Sequence, residues 1–400
     1  MKYNFDKVID RSGTSAEKVE GLKHIWGRTD LIPLWVADMD FATAPFVTDA
    51  IRKRCENEVL GYTGKPDSYY NAIINWVKQR YDLIVTKEVI NFVPGIVPGI
   101  GMAMNCFTQK GDKVMIQPPV YHPFAWVTTR NERTLVINPL RWENGMYRMD
   151  LDAFREQIKG CKLFILCNPH NPGGVVWTEA ELRAIADICY DEKVLVFSDE
   201  IHADLTLPPH THRPFATVSE KARMNSVTFM SPSKAFNMPG LSASHALIFN
   251  EDLRKRFRIY MDAGELDMGH VFAFLSVEAA YSHGTEWLDQ CLAYIQGNID
   301  FVDEFLKKHA PKIKAIRPEA SYLVWLDCRE LELSQKDLNE FFVDKAHLAL
   351  NDGEMFGKEG IGFMRLNVAS PRCIIEKAMK QLADAYQPVS YTHLRAHETG

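Results

Sequence analysis

Three short segments carry side chains that could do chemistry together: Asn168-Pro-His-Asn-Pro-Gly-Gly174, Ser198-Asp-Glu-Ile-His202 and Ser231-Pro-Ser-Lys-Ala-Phe-Asn237. Between them they supply a primary amine (Lys234), a carboxylate (Asp199), a carboxamide (Asn171) and two hydroxyls (Ser231 and Ser233). A pyridine ring used as an electron sink needs such a set. The amine forms a Schiff base with the ring's aldehyde, and the carboxylate keeps the ring nitrogen protonated. The carboxamide donates to the phenolic oxygen, and the hydroxyls reach a phosphate. Singly, each segment has an ordinary structural role, as a turn or a helix cap. Their common order and setting, each directly after an apolar run, sets them apart.

Those runs are the elements that must position the side chains. Between about residues 66 and 250, helical periodicity alternates with short apolar strands. Helices are expected over 66–81, 95–107, after Pro123 and over 152–158, and over 178–191 from a Thr178/Glu181 capping box. Strands are expected at KVMIQ (113–117), TLVIN (134–138), KLFILCN (162–168), VLVFSDE (194–200), SVTFMS (226–231) and HALIFN (245–250). The fold class is therefore α/β: a large domain with a mostly parallel seven-stranded sheet between helices, plus a smaller α+β domain. In such sheets ligands sit outside the carboxyl ends of the strands, which is where the three segments fall. Residues 252–309 read as helical, and ASYLVWLD and GIGFMRLNVA belong to the smaller domain. The expected organisation is an N-terminal segment (1–48) joining the small domain, a large domain (49–288) and a small C-terminal domain (289–388). The last stretch, VSYTHLRAHETG (389–400), has no apolar periodicity and reads as a non-native, disordered tail.

Together with PLWVADMDF (33–41), GYTG (61–64) and MRLNVASPR (364–372), these motifs resemble the fold-type-I pyridoxal-phosphate enzymes, the aspartate aminotransferase superfamily. Within it they are similar to the MalY/PatB group of cystathionine β-lyase-like C–S lyases. The likeness runs from about residue 3 to residue 387. It implies pyridoxal 5'-phosphate as cofactor and Lys234, Asp199 and Tyr121 as catalytic residues, with Tyr121 stacked on the ring. Cofactor contacts are implied for Ile96, Val97, Asn171, His202, Ser231 and Ser233. The resemblance also implies that Tyr62 reaches the phosphate of a neighbouring subunit in a homodimer. Arg365 is implied as the clamp on the substrate α-carboxylate, with Asp38 and Met39 lining the substrate entrance. Two positions depart from the wider aminotransferase pattern: His202 where many have tyrosine, and Ser242 where many have a phosphate-binding arginine. Both lean towards C–S elimination, in which Lys234 takes the Cα proton and a thiol leaves Cβ, giving pyruvate and ammonia. The alternatives are an aminotransferase and, from another class, a regulatory protein-binding member of the same fold.

Composition sets the outer limits. A formal net charge of −6 argues against a nucleic-acid partner. No apolar stretch approaches bilayer length, so no membrane partner is expected. No secretory leader is visible, and the eight cysteines form no CxxC pair, so buried free thiols in a cytoplasmic protein are expected. The His210/His212 pair lies in a proline-rich loop and reads as solvated, with no metal site. Trp26, Trp35, Trp126 and Trp325 read as core or interface residues, with Trp35, beside Asp38, the one possible ligand contact.

Overall fold

The computed structural model describes residues 2–397, with side chains over 2–387. The expectation for 389–400 therefore falls outside the residues whose side chains are described.

Seven strands form the large sheet: β1 (Ile90–Val93), β2 (Lys113–Ile116), β3 (Thr134–Ile137), β4 (Cys161–Cys167), β5 (Leu195–Asp199), β6 (Ser226–Met230) and β7 (Ser244–Leu247). Their spatial order is β1-β7-β6-β5-β4-β2-β3. Neighbours from β6 across to β3 are parallel. Strand β7 runs antiparallel to both β1 and β6, so β1 points the same way as the other five. The sheet is thus mixed by one strand. β4 and β6 are buried along most or all of their length, as strands covered on both faces must be.

Helices connect and cover these strands where the apolar spacing predicts them. They include α1 (Asp67–Tyr81), α2 (Ile96–Phe107), α3 (Pro123–Arg130) and α4 (Glu179–Asp191), the last opened by the Thr178/Glu181 capping box. The expected helical region after residue 250 resolves into Glu251–Asp262, Val271–His283 and Thr285–His309. A four-stranded antiparallel sheet follows: β8 (Lys314–Ile316), β9 (Leu323–Asp327), β10 (Asn351–Asp352) and β11 (Phe363–Asn367), in spatial order β8-β9-β11-β10. The N-terminal segment joins this sheet's surroundings. Ile32–Pro33 pairs in parallel with Leu348–Ala349, and Asn367 Nδ2 donates to the carbonyls of Val36 and Asp38.

One apolar cluster runs from Phe5 and Met39 through Trp76, Phe236 and Trp287 to Leu326 and Leu382. It packs the helices against both sheets. Five cysteines are buried as free thiols, but Cys55 and Cys373 are exposed and Cys106 is half-buried, because their helices turn those positions outward. No helix among the described residues is long and apolar enough to cross a membrane.

Candidate active site

A cavity of about 210 Å³ opens at the carboxyl ends of the co-directed strands. Asp199 is the last residue of β5, in register with Cys167 at the end of β4 and Phe229 on β6. The loop after β4 brings Asn171, the loop after β6 brings Ser233 and Lys234, and the loop after β2 brings Tyr121. Strand β1 leads through Pro94 and Gly95 into α2, whose first residues Ile96 and Val97 line the same cavity. Gly95 sits at φ 141°, and no side chain caps this helix. Its first N–H groups and positive dipole end therefore face the cavity, a setting suited to an anion.

The electrostatics follow from enclosure. Burial pulls the Lys234 ammonium down to about 8, and the Arg365 guanidinium pushes the same way against Asp38 and Asp199. Burial likewise raises the Asp199 carboxyl to about 7, although its Oδ1 accepts from the Ile201 N–H at 3.1 Å. His202 lines the cavity with Nδ1 unpartnered, and burial pushes its imidazole down to about 3, so it is neutral. A neutral ring offers one nitrogen as donor and the other as acceptor. Burial raises the Tyr121 hydroxyl, and its ring lines the cavity in a T-shaped contact with Phe124.

Arg365, on β11 of the small sheet, completes the arrangement from the opposite side. Its Nη1 donates to Asn171 Oδ1 at 3.0 Å and its Nη2 to Asn351 Oδ1 at 2.5 Å. The guanidinium lies over the Phe356 ring at 4.8 Å, and Nε has no partner. A buried planar cation held by neutral amides keeps its charge available for a carboxylate.

Most sequence-predicted site residues therefore meet at one place, and five do not. Ser231 lies behind the cavity wall: its Oγ donates to the Ala243 carbonyl and accepts from the Ser233 N–H, so it shapes the turn that presents Ser233. Asp38 is turned away into ion pairs with Arg11 and Lys18. Met39 is 1% exposed in the apolar core, its N–H fixed on Asn237 Oδ1. The residue of this strap that lines the cavity is Ala37, whose carbonyl accepts from Lys234 Nζ at 2.5 Å. Tyr62 is 98% exposed and lies outside this chain's own cavity. Trp35 also stays out, donating from Nε1 to the Lys18 carbonyl and packing edge-on against Trp26.

Sequence reasoning missed two further features. Tyr322 is fully buried and donates its hydroxyl to the same Ala37 carbonyl at 3.0 Å. The His210/His212 loop is not solvated throughout: His212 is buried with Nε2 2.8 Å from Glu200 Oε2. Ser198 Oγ and the Phe215 N–H donate to the other oxygen of Glu200. The loop folds back beneath the end of β5 because the Glu200 carboxylate, buried beside Asp199, needs these donors. The signal available was the chain's own SDE, a second acid that must find partners if the first is enclosed.

Known proteins are similar to this chain along nearly its whole length. The family model for aminotransferase class I and II matches residues 29–382. Cystathionine beta-lyase PatB of Bacillus subtilis is 38% identical over 96% of this chain and 99% of its own length. Protein MalY of Escherichia coli is 30% identical over 97% of this chain and all of its own. The crystal structure of cystalysin from Treponema denticola, which contains a pyridoxal 5'-phosphate cofactor, superposes with a TM-score of 0.94 at 33% identity, covering 97% of this chain and 100% of that one. With a family model over residues 29–382 and relatives aligned along nearly its whole length, the chain belongs to the class I and II aminotransferase family.

Proposed function

We propose that this protein is a pyridoxal-phosphate-dependent C–S β-lyase of the cystathionine β-lyase type, working as a homodimer. The observation that carries the proposal is a single cavity lined by an enclosed amine (Lys234) and a buried acid (Asp199), with a buried guanidinium (Arg365) bonded to Asn171 of the same lining. The residues fit the cofactor. An unpartnered imidazole nitrogen on His202 and an uncapped helix start at Gly95–Val97 are unmet groups facing this space. The relatives named for cystathionine cleavage and for the cofactor support the same reading.

When bound, the cofactor supplies an aldehyde for an amine and a ring that delocalises negative charge from Cα. Asp199 would hold a proton at the ring nitrogen, and ion pairing there would lower its own pKa from the buried value. Ser233 and the first N–H groups of α2 would hold the phosphate. Tyr121 would cover the ring, and Asn171 and His202 would address its phenolic oxygen. Arg365 takes the substrate carboxylate in bidentate fashion. Lys234, poised near neutrality, removes the Cα proton as general base. The proton that Lys234 then carries can pass to the departing sulfur, so the bond from Cβ to sulfur breaks and a thiol leaves, and water hydrolyses the remaining three-carbon enamine to pyruvate and ammonia. Tyr62, on the outer surface, serves the neighbouring subunit's phosphate.

The test uses purified enzyme, L-cystathionine and no keto acid. The expected result is sustained formation of pyruvate and ammonia over many turnovers. Turnover that stops after one equivalent and resumes only on adding a keto acid would assign the protein as an aminotransferase instead.

A further inference from the structure

Below the strap that carries Ala37 lies a group of four charges that the mechanism does not use. Lys18, in the helix Glu17–Trp26, is 0% exposed. Its Nζ stands 2.9 Å from Asp40 Oδ2 and 3.6 Å from Asp38 Oδ1, and it donates to the Asp38 carbonyl at 3.2 Å. Arg11 closes the quartet, with Nη2 2.6 Å from Asp38 Oδ2 and Nη1 3.2 Å from Asp40 Oδ1. Two cations and two anions balance, which is what a buried ionic group requires.

The quartet holds the strap from beneath while other residues hold it from above. Arg365 Nη2 donates to the Trp35 carbonyl, Asn367 Nδ2 to those of Val36 and Asp38, and Asn237 Nδ2 to those of Met39 and Phe41. Every carbonyl from residue 35 to residue 39 is thus a fixed acceptor. The one at the centre, on Ala37, receives the Lys234 amine and the Tyr322 hydroxyl together. The lysine's place therefore depends on where the strap sits, and Lys18 is the fully buried cation that ties both strap carboxylates and one strap carbonyl together.

We propose that Lys18, through the quartet with Arg11, Asp38 and Asp40, is a positioning residue that sets the place of the Ala37 carbonyl and with it the resting position of the Lys234 amine. It touches neither substrate nor cofactor. The inference rests on the lyase reading for its kinetic arm only. The charges acting on Lys234 are Arg365 from β11, Asp199 from β5, and Asp38 and Lys18 of the quartet; Tyr322 shares the Ala37 carbonyl with it, and Tyr121 and His202 line the same cavity. Removing one cation from this set raises the affinity of Lys234 for its proton.

Two variants test the proposal. Lys18→Met removes the cation. Lys18→Met with Asp40→Asn removes it while leaving Arg11 and Asp38 as a balanced pair, and so keeps a folded protein available if the single variant fails to fold. The first readout is the pH profile of Lys234 acylation by acetic anhydride in cofactor-free protein, followed by peptide mass spectrometry. The second is kcat and KM for pyruvate release from cystathionine. The expected results are a labelling midpoint displaced to higher pH in the single variant, and kcat lowered about tenfold or more in both with KM little changed. A labelling profile and a kcat matching wild type, in whichever variant folds, would overturn the positioning role. If wild-type protein releases no pyruvate, the lyase reading fails, and the labelling arm still decides this inference.

Discussion

At the scale of single residues, enclosure moves the site's titratable groups towards their neutral forms. Asp199 is the plainest case, since burial raises its carboxyl from 3.8 to about 7. A carboxyl whose pKa is higher folded than unfolded favours the fold while protonated and opposes it once ionised. Its penalty is therefore absent below the unfolded value, grows as pH rises between the two values, and is complete above the folded one. Asp199→Asn keeps the shape and never ionises. In cofactor-free protein it is expected to raise the melting temperature, and by more at about pH 8 than at about pH 5. Equal effects at the two pH values would mean that Asp199 is already paired without cofactor. Addition of cofactor should reverse the ranking, because only the wild-type carboxylate can pair with a protonated ring.

At the scale of elements, the loops that end the strands decide whether these residues meet. Gly174 closes the loop after β4 at φ 69°, and its carbonyl accepts from the Glu319 and Ala320 N–H groups at 2.8 and 3.1 Å. That contact ties the Asn171 loop to the chain entering β9, and so to the small sheet that carries Arg365. A Cβ on Gly174 would lie 2.5 Å from Pro318 Cβ and 2.8 Å from Pro318 Cα. Both the left-handed backbone and the close approach exclude a side chain. Gly174→Ala is expected to cost roughly 1–3 kcal/mol in denaturant unfolding. It should also raise KM for the amino-acid substrate, since Asn171 and Arg365 shift relative to each other. An unchanged KM would show that the two halves of the clamp are set independently of this contact.

At the scale of the whole molecule, Tyr62 stands apart. It belongs to a stretch that is exposed on this chain, with Val59 and Leu60 beside it also in the open. An exposed apolar run next to a tyrosine is a surface that a second copy could cover. The expected outcome is that sedimentation equilibrium gives twice the chain mass and that Tyr62→Ala weakens cofactor affinity without lowering the melting temperature of cofactor-free protein. A monomer with full cofactor affinity would rule out the shared site.

Across these scales, the sequence by itself determined six of the seven strands of the large sheet, though not the edge strand Ile90–Val93, most of their helices, and the placing of Asn171, Asp199, Ser233 and Lys234 at the strand ends. Strand ends follow from local apolar runs, and parallel strands place their carboxyl ends on one edge, so chemistry in those turns is legible without coordinates. Only the tertiary structure decided what lies across the cavity. That Ala37 rather than Asp38 or Met39 lines it, that Ser231 lies behind it, and that Lys18 and His212 are buried against carboxylates all depend on contacts between distant segments. No local pattern encodes them, because a charged side chain reads as solvated until a partner far along the chain is known to enclose it.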